Sequence, residues 1–297
     1  MLFKNKYGEP RSGVSIALMF VFFLAAQLIT FYVVIMAVSA SEQDFVAGLW
    51  INVLVQLMVI GALLLAFKTV YKLPFRIMGL VKEGWFKELL AGCAFGIVSI
   101  AAVFVVLTVF GQADISYIGF NANNTAIILW SFVHFIGVGF SEEIMTRGYI
   151  MTALKTTRNK HIAFFAPAFV FSLLHLGNDN VSALGLINIG LVGVLFAYMM
   201  VRSGKLWLPI GFHIAWNFFQ GNIFGMNVSG GATPSIIATK FTGPDWITGG
   251  AFGAEGGIVT TVVIALGFLF VRHVIKKPET PAWTFESDLP FSLVTGR

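Results

Sequence analysis

Apolar runs separated by short polar connections make up most of this chain, and the lengths of the runs decide how it is read. They cover roughly residues 14–38, 45–67, 86–110, 125–154, 161–176, 181–201, 208–227 and 258–274. Runs of about 20 apolar residues are long enough to cross a hydrocarbon core as helices, and helices satisfy their own backbone groups in lipid. The pattern predicts an all-α fold, a polytopic membrane protein of about eight transmembrane helices. The first run is too long for a signal-peptide core and lacks a convincing cleavage site, so it is expected to be a retained span. The connections leave no room for a separate soluble domain. Residues 1–277 should form a single membrane domain, followed by a polar C-terminal tail at 278–297 that is either an unstructured end or a membrane-surface segment. The connection 228–257, rich in Gly, Thr and Ser, reads as an irregular loop or a re-entrant cap.

Charge orients the spans. Alternate connections hold Lys68, Lys72 and Arg76, then Lys155, Arg158 and Lys160, then Arg202 and Lys205, with more basic residues at both ends of the chain. The remaining connections carry Glu42, Asp44, Asp114, Asp179, Asp245 and Glu255, with Lys240 as their lone basic residue. The positive-inside rule then puts both termini in the cytoplasm. With 57% hydrophobic and 11% charged residues and a mean hydropathy of +0.85, the composition excludes an ordinary soluble domain. The net charge of +5 is spread over the loops, as membrane orientation requires, so no nucleic acid is expected and membrane lipids are the expected surroundings. A single Cys93 rules out a disulfide framework and a zinc site built on cysteine pairs.

Against this background three charges stand out. Glu142, Glu143 and Arg147 lie inside the run 125–154, where ionisable groups are costly and call for a function or a partner. Glu143 and Arg147 are four apart and share a helix face, the spacing of an intrahelical ion pair, while Glu142 points about 100° away. The next run carries Phe171 and His175, and the seventh carries His213 and Asn217, again four apart. Counted at about 1.5 Å per residue from the basic ends, Glu142 lies ~20 Å in, His175 ~22 Å, Asn217 ~18 Å and His213 ~12 Å, a common middle layer with His213 the shallowest. A lone membrane histidine such as His134 reads as a packing residue. Glu142 and His213 together can hold and deprotonate a water, while a second histidine and an asparagine amide donate to a developing oxyanion. These are the parts needed to hydrolyse an amide without a covalent intermediate. The plainer reading is that the same charges form a structural network.

At Glu142-Glu143-x-x-x-Arg147, Phe171-x-x-x-His175 and His213-x-x-x-Asn217 the sequence resembles the CPBP family (CAAX protease and bacteriocin-processing, also called Abi). These are intramembrane glutamic endopeptidases that include the type II (Rce1-like) CAAX prenyl endopeptidases. The motif-bearing core covers about 125–227. The resemblance implies that Glu142 and His213 activate the water, that His175 and Asn217 form the oxyanion hole, and that Glu143, Arg147 and Phe171 support them, Glu143 and Arg147 by orienting Glu142. It further implies a chamber open toward the cytoplasm and a membrane-anchored peptide or prenylated protein as substrate: a CaaX tail that loses three residues, or a leader peptide.

Other chemistries fit less well. There is no His-Glu-x-x-His, no paired membrane aspartate, and Gly139-x-Ser141 lacks the following glycine of a serine site. No cofactor is expected, although His175, His213 and Glu142 can also be drawn as a three-ligand zinc site. The rival functions are a non-proteolytic membrane immunity or signalling scaffold and, third, a transporter, which the lack of repeats and broken helix pairs disfavours. The expected location is a prokaryotic plasma membrane, with the protein as a multi-pass component.

Overall fold

The structure, a computed structural model, describes residues 3–6, 8–38, 45–121, 124–279 and 283–284. Glu42, Asp44 and most of the tail expected at 278–297 lie outside the described residues.

Each apolar run is helical. The helices are α1 (Ser12–Val38), α2 (Phe45–Tyr71) and α3 (Trp85–Val109), then α4 (Thr125–Glu143), which continues through a π-helical stretch (Ile144–Ile150) into Met151–Leu154. They are followed by α5 (Lys160–Leu174), α6 (Ala183–Ser203), α7 (Trp207–Phe218), which runs on into a π-helical stretch (Phe219–Ile223), and α8 (Ile258–Val274). Local signals set several boundaries. The Asn159 side chain accepts from the His161 and Ile162 amides and opens α5, and Ser182 accepts from the Gly185 amide and opens α6. Gly204, in the left-handed region, closes α6.

Five of these helices are long and apolar enough to cross a membrane, over residues 12–33, 50–71, 85–109, 125–157 and 183–203. The other three expected spans are shorter. Helices α5, α7 and α8 have 15, 12 and 17 residues, and at ~1.5 Å per residue all three fall short of a core of about 30 Å, α7 by the most. Helix α7 explains the mismatch best: Leu208 through Asn217 are all buried, so its apolar residues face protein on every side. Apolar composition is the same for a helix in lipid and a helix inside a bundle. The all-α expectation is corrected at one place, where β1 (Ala113–Tyr117) pairs antiparallel with β2 (Ile237–Phe241), Ala113 opposite Phe241 and Tyr117 opposite Ile237. The connection 228–257, expected to be irregular, thus contains β2 and short helical turns at Asp245–Thr248, Gly250–Phe252 and Ala254–Gly256.

The outward faces are apolar: Leu24, Val98, Phe169 and Leu266 are each more than half exposed, which suits lipid and not water. Inside, two clusters form the core. One joins α1, α2, α4, α6 and α7 around Met19, Leu63, Tyr149 and Met200, and the other joins α3, α6, α7 and α8 around Ile100, Leu195, Phe212 and Ile264. The contact of α3 with α7 is made backbone to backbone. A Cβ on Gly92 would overlap the Leu208 carbonyl, and one on Gly211 would overlap the Leu89 carbonyl. Small residues at such a crossing let two membrane helices approach closely, and this contact fixes the helix that bears His213. At the end rich in basic residues, Glu9 pairs with Arg158 at 3.0 Å. The tail turns inward there: Trp283, 1% exposed, donates from Nε1 to Thr152 Oγ1 (2.9 Å) and lies under Lys155, whose Nζ is 4.9 Å from the ring centroid.

Candidate active site

The three motifs meet. Glu143 and Arg147 form a fully buried ion pair, with Nη1 donating to Oε1 at 2.8 Å and both side chains 0% exposed. The pairing expected from the i, i+4 spacing holds even though the helix becomes π-helical from Ile144. Such bulges concentrate at functional sites. Arg147 Nη1 also donates to Thr146 Oγ1 at 2.8 Å. Its guanidinium carbon stands 4.5 Å from the Phe171 ring centroid and 5.3 Å from that of Phe196, so ring faces take the place of water around the cation. Gly193, one turn before Phe196 on α6, makes the room: a Cβ there would come within 2.8 Å of Arg147 Nη2.

Glu143 has a second partner. Its Oε1 also accepts from His213 Nδ1 at 3.1 Å, while Nε2 on the far side of the same ring faces Glu142 Oε2 at 3.7 Å. His213 is therefore held between two carboxylates, one buried and neutralised by Arg147 and one 30% exposed and facing the cavity. The resemblance implied that Glu143 and Arg147 orient Glu142. The bond from the pair to the facing helix is made by Glu143 with His213. With Nδ1 donating to Glu143, the ring is oriented so that Nε2 faces Glu142.

His175 forms the C-cap of α5. Its Nδ1 bonds the Phe171 carbonyl at 2.8 Å, leaving Nε2 for the cavity. Phe171 is the hub of the second motif: its ring packs edge-on against His175 (4.8 Å between centroids) and His213 (6.0 Å) and lies beneath Arg147. Asn217, one turn beyond His213, is buried just before the π-helical stretch at Phe219. Glu142, His175, His213 and Asn217 all line one cavity of ≈ 340 Å³. It also reaches Gln27 of α1 and Gln56 of α2, and Val228, Ser229 and Glu255 of the 228–257 connection.

Two further polar residues lie on α4. Ser141 Oγ donates to Gln56 Oε1 (2.5 Å) and Val138 O (3.1 Å), tying α4 to α2. His134 is half-buried against Phe135, with ring centroids 5.4 Å apart. Among the described residues, no group of three His, Cys, Asp or Glu side chains is placed to hold a metal ion. Sequence reasoning missed Gly193, Phe196, Gln56, Ser229 and Glu255. A phenylalanine among 31 carries no signal of its own, whereas Glu255 is one of only two acids in the 228–257 connection.

The family model for type II CAAX prenyl endopeptidase Rce1-like proteins matches residues 124–219, which hold all three motifs. No curated protein and no solved structure matches the chain.

Proposed function

We propose that this chain, which carries a type II CAAX prenyl endopeptidase Rce1-like domain over residues 124–219, is an intramembrane glutamic endopeptidase that cuts a membrane-associated substrate near its end. The observation that carries the reading is His213 held between Glu143 and Glu142. A separation of 3.7 Å between Nε2 and Oε2 is too long for a direct hydrogen bond and leaves both atoms free to bind one water. The Glu142 carboxylate and the Nε2 lone pair take a proton as the water oxygen attacks the peptide carbonyl. His175 and the Asn217 amide donate to the oxyanion that forms. When the tetrahedral species collapses, the same proton passes to the leaving nitrogen, so no covalent enzyme intermediate is needed. Glu143 and Arg147 fix the orientation of the His213 ring in a buried site.

In this reading the chain has eight membrane-embedded helices, with α7 enclosed by the others and α5 and α8 showing apolar faces outward. Both termini are cytoplasmic, the membrane is a prokaryotic plasma membrane, and the residues named are the whole catalytic apparatus, with no cofactor. The test is to compare membrane peptides and tail-processed proteins in cells carrying wild type, Glu142→Ala and His213→Ala. Products present only with wild type are expected. Normal processing of every detectable substrate by both variants would refute catalysis and favour a scaffold.

A further inference from the structure

The motifs account for Glu142, Glu143 and Arg147, but the cavity wall holds one more carboxylate. Glu255 follows the turn at Gly253 in the 228–257 connection, and that connection is bonded to the helices around the site. Glu255 Oε2 accepts from the Ser229 amide (2.6 Å) and from Ser229 Oγ (3.0 Å). Its backbone carbonyl accepts from Asn188 Nδ2 of α6 at 2.8 Å. Asn178, three residues beyond His175, donates to the Ser229 carbonyl at 3.1 Å. The carboxylate is thus built into the wall from several sides.

None of these bonds neutralises it. Among the described residues Glu255 makes no ion pair with Lys or Arg, and a buried carboxylate without a counter-charge is expensive. The charged and ionisable groups lining the cavity are Glu142, Glu255, His175 and His213, with no Lys or Arg. Arg147 is sealed off behind Phe171 and Phe196 and committed to Glu143. A peptide lying in this cavity meets fixed acid on two sides and no strong cation.

We propose that Glu255 is a specificity residue that receives a basic side chain of the substrate, so that the cavity takes a leader-type peptide with Lys or Arg near the scissile bond rather than a tail whose α-carboxylate lies close beyond it. This rests on the endopeptidase reading above. Burial holds the Glu255 carboxyl above the usual carboxylate range, opposed by the Ser229 bonds and by the charge of His175. An arriving ammonium or guanidinium adds a permanent positive charge, which neither Ser229 nor the titratable His175 supplies, and favours the ionised form. Discrimination then comes from both sides, by attraction to a basic residue and repulsion of an acidic one.

The experiment uses the full chain in liposomes with membrane-inserting synthetic peptides. These carry Lys, Gln or Glu at successive positions within about four residues of the cut, alongside a prenylated peptide ending in a free carboxylate, and products are read by mass spectrometry. At one position kcat/KM is expected to favour Lys over Glu by about tenfold or more, with Glu255→Gln reducing that ratio to about threefold or less and Glu255→Lys inverting it. An unchanged ratio in Glu255→Gln, or a wild type that prefers the carboxylate-ended peptide, overturns the proposal. The wild-type preference decides the matter even where a variant fails to fold. A wild type that cuts without charge preference removes the Glu255 subsite alone, whereas one whose products match those of Glu142→Ala removes the endopeptidase reading with it.

Discussion

Arg147→Met tests how the site is held together. Methionine keeps most of the volume between Phe171 and Phe196 while removing the only cation bonded to Glu143, and the pair it breaks is fully buried. Removing one member of a buried ion pair costs about 3–5 kcal/mol, and here the Glu143 carboxylate would keep only its bond to His213 Nδ1, with no water. A thioether against two aromatic rings returns only about 0.3–1.5 kcal/mol. Arg147→Met is therefore expected to lose about 3 kcal/mol or more of unfolding free energy, measured by denaturant titration in detergent micelles. The double variant Arg147→Met/Glu143→Leu removes both charges and should recover most of that loss. It should stay inactive, because His213 Nδ1 has lost its acceptor. A single variant within about 1 kcal/mol of wild type, or a double variant no more stable than the single, would refute the claim that this pair is a buried charge couple.

Three further outcomes follow from other parts of the molecule. Asn217→Ala, which removes one oxyanion donor, should lower kcat by about 10²–10³ with little change in KM; a change confined to KM would move Asn217 from the transition state to substrate binding. Gly211→Val forces a side chain into the Leu89 carbonyl and should cost roughly 1–3 kcal/mol or more, seen as loss of monodisperse protein in size-exclusion chromatography, whereas unchanged stability would deny the backbone contact of α3 with α7. The raised Glu255 carboxyl means that the folded state keeps a proton that the unfolded chain releases above about 4.5. Wild-type stability should therefore fall as pH rises from 4.5 through the raised folded value; Glu255→Gln should lose that slope, and parallel profiles would contradict it.

Much of the site was legible because its chemistry is local. The i, i+4 spacings of Glu143 with Arg147, Phe171 with His175 and His213 with Asn217 each place two groups on one helix face, and charge in an apolar run marks itself as costly. What the sequence could not convey depends on long-range packing. Hydropathy does not separate the lipid-facing α3 from the enclosed α7, since leucine is apolar in either setting. The bond from Glu143 to His213 joins residues 70 apart in sequence and has no spacing rule. Strands β1 and β2 pair where two connections meet; ADISY alternates but is only five residues long, and IATKF does not alternate.

The π-helical stretch after Glu143 also acts as a length standard. A π-turn absorbs one more residue than an α-turn, so everything beyond it is turned by about 100° from where a uniform helix would place it. That rotation brings Tyr149 Oη to Ser15 Oγ (3.1 Å) and Thr152 Oγ1 to Trp283 Nε1 (2.9 Å), while Arg147 still reaches Glu143. Deleting one residue between 144 and 150 would restore a regular helix at the cost of one of these alignments. Catalytic register and the anchoring of both chain ends are thus written into the same single-residue surplus.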